Sequence, residues 1–254
     1  MDKPTHNMNR RSLLSMLGIA PVMPFAAAAM SVKPAKTVKL SDRMNSLPWT
    51  KQWQAASETG LFLEQLRERC SDVSAGIEEC DGLLSLAVFG RDRSHGKIIV
   101  WTGTWGREAS WRFMPYLPYI AARDVELVEG NDDVRDAAWA LERIARTVPV
   151  NSIGVSIYIS DHLLAAMSEA GFSAEHPAVR GVVNGYSTLG AAATIGRLIE
   201  TGALVHNGSL MTTEALTRFR RSMAWHPDGH LVAPATALFR AFAARSWTAL
   251  SEGR

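Results

Sequence analysis

The chain has 254 residues, 47% of them hydrophobic and 20% charged, which supplies one large core and excludes an intrinsically disordered chain. A net charge of +2 excludes a strongly basic protein that coats nucleic acid, although a local basic face is compatible with it. Two cysteines, Cys70 and Cys80, exclude a disulfide-built scaffold; free thiols are expected, with a single bridge as the alternative in an exported protein.

Residues 1–30 read as a leader. Asn9-Arg-Arg-Ser-Leu-Leu-Ser15 precedes an apolar run from Met16 to Met30 that contains Ala26-Ala-Ala-Ala29. A positive start, an apolar middle and a small-residue end make a secretory signal, and the paired arginines resemble the twin-arginine type. Pro21, Pro24 and the short run argue against a membrane-spanning helix, so no span is expected once residues 9–29 have acted as a signal. The alternative is a cytoplasmic protein with an over-extended start, for which Met8 competes with Met1. Residues 31–48 read as a linker and 49–254 as the folded domain.

Trp49 to Arg69 is predicted helical, with Leu61, Leu63, Leu66 and Cys70 on one face. Val73–Ile77, Leu83–Phe89 and Lys97–Thr104 are predicted strands, joined by short loops into an antiparallel meander. An interrupted helix follows over 107–123, then a short strand at Val125–Val128. Asp132-Asp133 open a helix that runs to Arg146, where their charge suits the helix dipole. Val150–Ile157 is a buried strand. Ser160 is the expected N-cap of a helix from Asp161 to Ala170, ended by Gly171. A strand at Val179–Val183 precedes helices over 189–201, 212–223 and 234–250. This order predicts an α/β fold with a mixed sheet flanked by helices.

The acids Glu78, Glu79 and Asp81 lie at the end of the first strand, with a second strand returning beside them. Several segments, in order, resemble the C-terminal nuclease domain of the phage terminase large subunit. They are Leu61-Phe-Leu-Glu-Gln-Leu-Arg-Glu-Arg-Cys70, Gly76-Ile-Glu-Glu-Cys-Asp-Gly-Leu-Leu-Ser-Leu-Ala-Val-Phe-Gly-Arg91 and Val100-Trp-Thr-Gly-Thr-Trp105. Asp133-Val134, Ile153-Gly-Val-Ser156 with Leu163–Gly171, Gly202-Ala-Leu-Val-His206 and Ala233-Pro-Ala-Thr-Ala-Leu-Phe-Arg-Ala241 extend the likeness.

The resemblance implies an RNase H-like domain and three carboxylates around Mg²⁺ or Mn²⁺, hard cations that require oxygen donors. It implies double-stranded DNA as substrate and a separate motor subunit or phage protein as partner. The first acid position is Glu78, but the second is Ser156 and the third Ala233. The resemblance therefore implies a DNA-packaging endonuclease whose activity is impaired or lost. If cleavage survives, Glu78 and Asp81 are the expected metal ligands, aided by Glu79. Asp161 and Asp228 are the substitute acids available after a backbone rearrangement. The alternatives are a non-catalytic module that binds DNA or a phage protein, and an exported protein that reuses the scaffold. No Gly-x-x-x-x-Gly-Lys-Ser/Thr motor motif is present.

Other candidates have plainer readings. His226 and His230 flank the turn Pro227-Asp228-Gly229, His162 is expected exposed in a first helical turn, and His206 structural. Ser156, Asp161 and His162 lack the nucleophile elbow of a hydrolase. Arg197, Arg218, Arg220 and Arg221 form the most basic stretch, expected to be a solvated face. Trp101, Trp105, Trp111 and Trp139 are expected in the core.

Overall fold

β1 (Cys70–Cys80) is the centre of the molecule, because both of its faces are covered. The structure is a computed structural model and describes residues 47, 49–58, 60–80, 82–107, 117–219 and 232–251. The leader reading, Asp81, Trp111, Arg220, Arg221, His226, Asp228 and His230 lie outside the described residues.

In chain order the elements are α1 (Thr50–Ala55), α2 (Leu63–Arg69), β1, β2 (Leu83–Asp92) and β3 (Ile98–Arg107). Then come α3 (Leu117–Ala121), β4 (Glu126–Val128), α4 (Asp132–Ala145), β5 (Val150–Ser156), α5 (Asp161–Glu169) and β6 (Val179–Val182). The last are α6 (Tyr186–Glu200), β7 (Leu204–His206), α7 (Leu210–Arg218) and α8 (Ala233–Ser251). The seven-stranded sheet has the order β4-β3-β2-β1-β5-β6, and β7 pairs with β3. β1–β2 and β2–β3 are antiparallel, as the short loops predict. β5 joins β1, and β6 joins β5, in parallel after helical crossovers. This is the RNase H-like mixed sheet flanked by helices that the sequence predicts.

Residue alternation along each strand separates two cores. Val73, Ala75, Ile77, Leu84, Leu86, Val88, Ile153 and Val155 pack with α2, α4 and α5. Ala87 and Phe89 pack on the opposite face with α1, α6, α7 and α8. On that second face β1 and β5 carry small residues. Ser152 Oγ donates to Ser74 Oγ at 3.0 Å, and Gly76 is the cross-strand partner of Gly154. A Cβ on Gly76 would lie 2.1 Å from the Ala237 carbonyl oxygen, and one on Gly154 2.3 Å from that of Arg240. Only glycine lets α8 settle this close to the sheet.

The predicted helix from Trp49 to Arg69 is in fact two. α1 stops at Ala55, and the chain turns at Gly60, whose φ of +82° favours glycine, before α2 begins. The backbone between α1 and α2 instead meets the sheet: Ser57 bridges His206, and Glu58 N–H donates to the His206 carbonyl at 2.8 Å. Ser160 caps α5 as expected, its Oγ accepting from Leu163 N–H at 3.2 Å. Trp105 is buried, whereas Trp139 is 53% exposed, contrary to the core expectation, and carries Arg135 5.2 Å from its ring centroid. α4 turns its Val134, Ala137, Ala138 and Leu141 inward, which leaves position 139 on the solvent side.

Cys70 and Cys80 stand at opposite ends of β1 and are not bridged to each other. Ten residue steps of extended strand separate them by about 33 Å, far beyond the reach of a disulfide. No described helix is long and apolar enough to cross a membrane.

Candidate functional site

The candidate site lies where β1 and β5 end side by side. Gly76 and Gly154 are paired across the two strands, so Glu78 and Ser156, two residues further on, emerge on the same α8-facing side. On the other neighbour, Ser85 of β2 is the partner of Glu78, and Ser85 Oγ lies 3.2 Å from Thr104 Oγ1. The rung therefore reads Ser156, Glu78, Ser85, Thr104: one carboxylate among hydroxyls.

Glu78 is 8% exposed. Its Oε2 lies 2.7 Å from Nε of Arg240, an α8 residue that is itself 1% exposed. This contact is an ion pair without an aligned hydrogen bond, and Arg240 Nη1 has no hydrogen-bond partner. Arg240 Nη2 donates to Asn184 Oδ1 at 3.3 Å. α8 runs antiparallel to β1, since Arg245 Nη1 meets Asp72 Oδ1 at 2.9 Å near the start of the strand. That direction, with side chains leaning toward the helix N-terminus, aims Arg240 at the end of β1. Burial pushes the Glu78 carboxyl up to about 6, with Arg240 opposing and Glu79 reinforcing the rise. Burial likewise lowers the pKa of Arg240, against the pull of Glu78.

Glu79 points to the other face of the sheet, where it joins a second ionic group. Arg107, the last residue of β3, donates Nη2–H to Glu79 Oε1 at 2.9 Å and Nε–H to Asp133 Oδ2 at 2.8 Å. Asp133 is fully buried in the first turn of α4, and its Oδ1 has no hydrogen-bond partner. Burial raises its carboxyl above the usual range, and Arg107 opposes the rise. Glu78 and Glu79, adjacent in sequence, thus belong to different faces and different counter-ions.

The remaining expected positions are placed as follows. Ser156 Oγ accepts the Tyr158 N–H at 3.1 Å. Ala233, the first residue of α8, is 1% exposed. Asp161 and His162 are exposed on α5, and Arg197 and Arg218 are solvent-facing, with Arg218 paired to Glu214. His206 is buried and structural: its ring stacks on Trp53 at 3.8 Å, Nδ1 accepts Gly208 N–H, and Nε2–H donates to the Trp53 carbonyl.

A Mg²⁺ or Mn²⁺ ion needs several hard oxygen donors, carboxylates foremost. At this rung the described residues present one carboxylate already faced by a guanidinium and hydroxyls, of which that of Ser156 accepts a backbone N–H, while Ala233, the third expected position, offers only a buried methyl group. They do not fit such an ion. Among the described residues, no group of three His, Cys, Asp or Glu side chains is placed to hold a metal.

The architecture has a counterpart among solved structures. The HK97 bacteriophage large terminase matches with TM-score 0.59 and 14% identity over 78% of this chain and 43% of that one. The chain has a terminase nuclease-like fold. It spans less than half the length of the HK97 terminase chain. The large terminase nuclease from thermophilic phage G20c matches with TM-score 0.42 and 12% identity, over 69% of this chain and 82% of that one. No protein-family model matches the chain, and no curated protein matches it. At these identities the likeness speaks for the terminase-like fold alone.

Sequence reasoning missed Arg240, Arg107 and Asp133 as parts of the ionic groups. A signal for Arg240 was present: it is the one charged residue between Val232 and Ala244, a stretch otherwise made of apolar residues, Pro234 and Thr236. A cation in such a run must find a counter-ion. Which acid it meets depends on the packing of α8 across β1.

Proposed function

We propose that this chain is a terminase nuclease-like domain that no longer cuts DNA by metal-dependent catalysis and acts by binding. The observation that carries the reading is the rung at the strand ends. Of the positions the terminase resemblance assigns to acids, Glu78 alone keeps a carboxylate: Ser156 stands on the neighbouring strand end, and the third position is the buried Ala233. Phosphodiester cleavage of that kind uses metal ions clamped between attacking and leaving oxygens, and one carboxylate cannot organise them. Double-stranded DNA is the ligand we propose first, with a phage protein or a separate motor subunit as partner.

Purified protein incubated with plasmid DNA in Mg²⁺ or Mn²⁺ is expected to leave the plasmid intact, while gel-shift affinity falls steeply with added salt. Metal-dependent nicking that disappears in Glu78→Ala would overturn the loss of catalysis and restore Glu78 as a ligand, with Asp81 the next acid to test. Intact plasmid without DNA binding would overturn the DNA-binding reading.

We further propose that residues 9–29 direct export by the twin-arginine pathway, on the strength of Arg10-Arg11 ahead of the apolar run. Periplasmic protein beginning just after Ala29, and its loss on replacing Arg10 and Arg11 by Lys, is the expected result. Cytoplasmic protein that still begins at Met1 or Met8 would sink the idea.

A further inference from the structure

We infer that the Arg240 guanidinium is the resident cation of this site and keeps divalent metal away from Glu78. The inference deepens the non-cleaving reading and rests on it. Arg240 is 1% exposed and its Nε lies 2.7 Å from Glu78 Oε2, so the positive charge sits against the carboxylate. The backbone that carries it is fixed. The Gly76 and Gly154 contacts press α8 onto β1 and β5, with the Arg240 carbonyl itself over Gly154. Arg240 Nη2 also donates to Asn184 Oδ1 at 3.3 Å. A divalent ion at Glu78 would face this cation at a few ångströms in a poorly hydrated site, where like charges repel strongly. It would find only the Ser156, Ser85 and Thr104 hydroxyls as further donors on the rung. The unpaired Nη1 shows that the guanidinium is held by the pair and the packing rather than by a full set of hydrogen bonds.

The wild-type test is direct. The side-chain carboxyl carbon of Glu78, assigned by comparison with Glu78→Gln, is followed by carbon-detected NMR while Mg²⁺ is added to millimolar concentration. Its resonance and titration midpoint are expected to stay fixed; a metal-dependent shift would overturn the inference. A second arm adds Mn²⁺ to Arg240→Met/Ser156→Asp, which replaces the cation and sets a second acid on the neighbouring strand. Binding read by electron paramagnetic resonance is expected to be more than about tenfold tighter than in the wild type. It is expected to vanish when Glu78→Gln is added. Equal Mn²⁺ affinity in wild type and folded variant would also overturn the inference. The wild-type arm stands even if the variant fails to fold. Failure here is distinguishable from failure of the proposed function: metal at Glu78 with intact plasmid overturns only the inference, and plasmid cleavage overturns the loss of catalysis.

Discussion

Glu78 and Arg240 show what a single buried pair costs and holds. Removing either partner leaves an uncompensated charge, so Arg240→Met is expected to lower unfolding stability by about 3–5 kcal/mol in urea titrations. Glu78→Leu/Arg240→Met is expected to recover most of that loss, because the desolvation penalty disappears with both charges. Two buried groups respond to pH with opposite sign. Burial lowers His206 from its ordinary 6.5 to about 4, so the native state holds it neutral while the unfolded chain takes up the proton. Its stabilisation is complete above pH 6.5 and drains away toward pH 4, by up to ~3 kcal/mol. Glu78 rises from 4.5 to about 6, so its contribution is present below pH 4.5 and is lost as pH climbs through 6. Melting temperature against pH for His206→Gln and Glu78→Gln separates the two: the first flattens the acid side, the second the slope between pH 4.5 and 6.

At the scale of elements, the decisive contact is α8 on β1 and β5. Gly76→Ala would place a methyl group 2.1 Å from the Ala237 carbonyl and 2.3 Å from the Ala241 nitrogen, both backbone atoms that cannot step aside. A loss of at least ~1–3 kcal/mol is expected by chemical denaturation, and Gly154→Ala should behave alike. Gly190→Ala in α6 is the control: nothing lies within 4 Å of its Cβ position, and helix propensity predicts a gain of ~0.5–1 kcal/mol. Most elements were legible, because long apolar runs of β-branched residues and helical periodicity are local signals. Of the two three-residue strands, β4 falls within the strand predicted at Val125–Val128, whereas β7 is too short to show a strand period of its own. The break between α1 and α2 was hidden because Leu61, Leu63 and Leu66 keep helical spacing. The backbone of residues 56–58 answers instead to His206, a partner far along the chain.

For the whole molecule, the mixed sheet sets a gradient of local stability. β1 and β2 lie inside the sheet with helices on both faces, whereas β4 and β6 are its flanks. Amides of β1 and β2 are expected to exchange slowest with deuterium and those of β4 and β6 faster, and reversal of that order would contradict the topology. The candidate site was half legible. Glu78, Ser156 and Ala233 follow from matching short segments, and the structure sets Glu78 and Ser156 on adjacent strand ends. The counter-ions were not legible, since Arg107 and Arg240 meet their acids across 28 and 162 residues of chain (107 against 79, 240 against 78). The sequence by itself determined most of the order of strands and helices and the shortage of carboxylates at the expected acid positions, because residue type and period are local properties. Only the tertiary structure decided that Glu78 and Glu79 part to opposite faces, that glycines admit α8 to the sheet, and that a guanidinium stands against Glu78. Those outcomes depend on which surfaces pack together, and packing is decided by shape and buried charge across the whole chain.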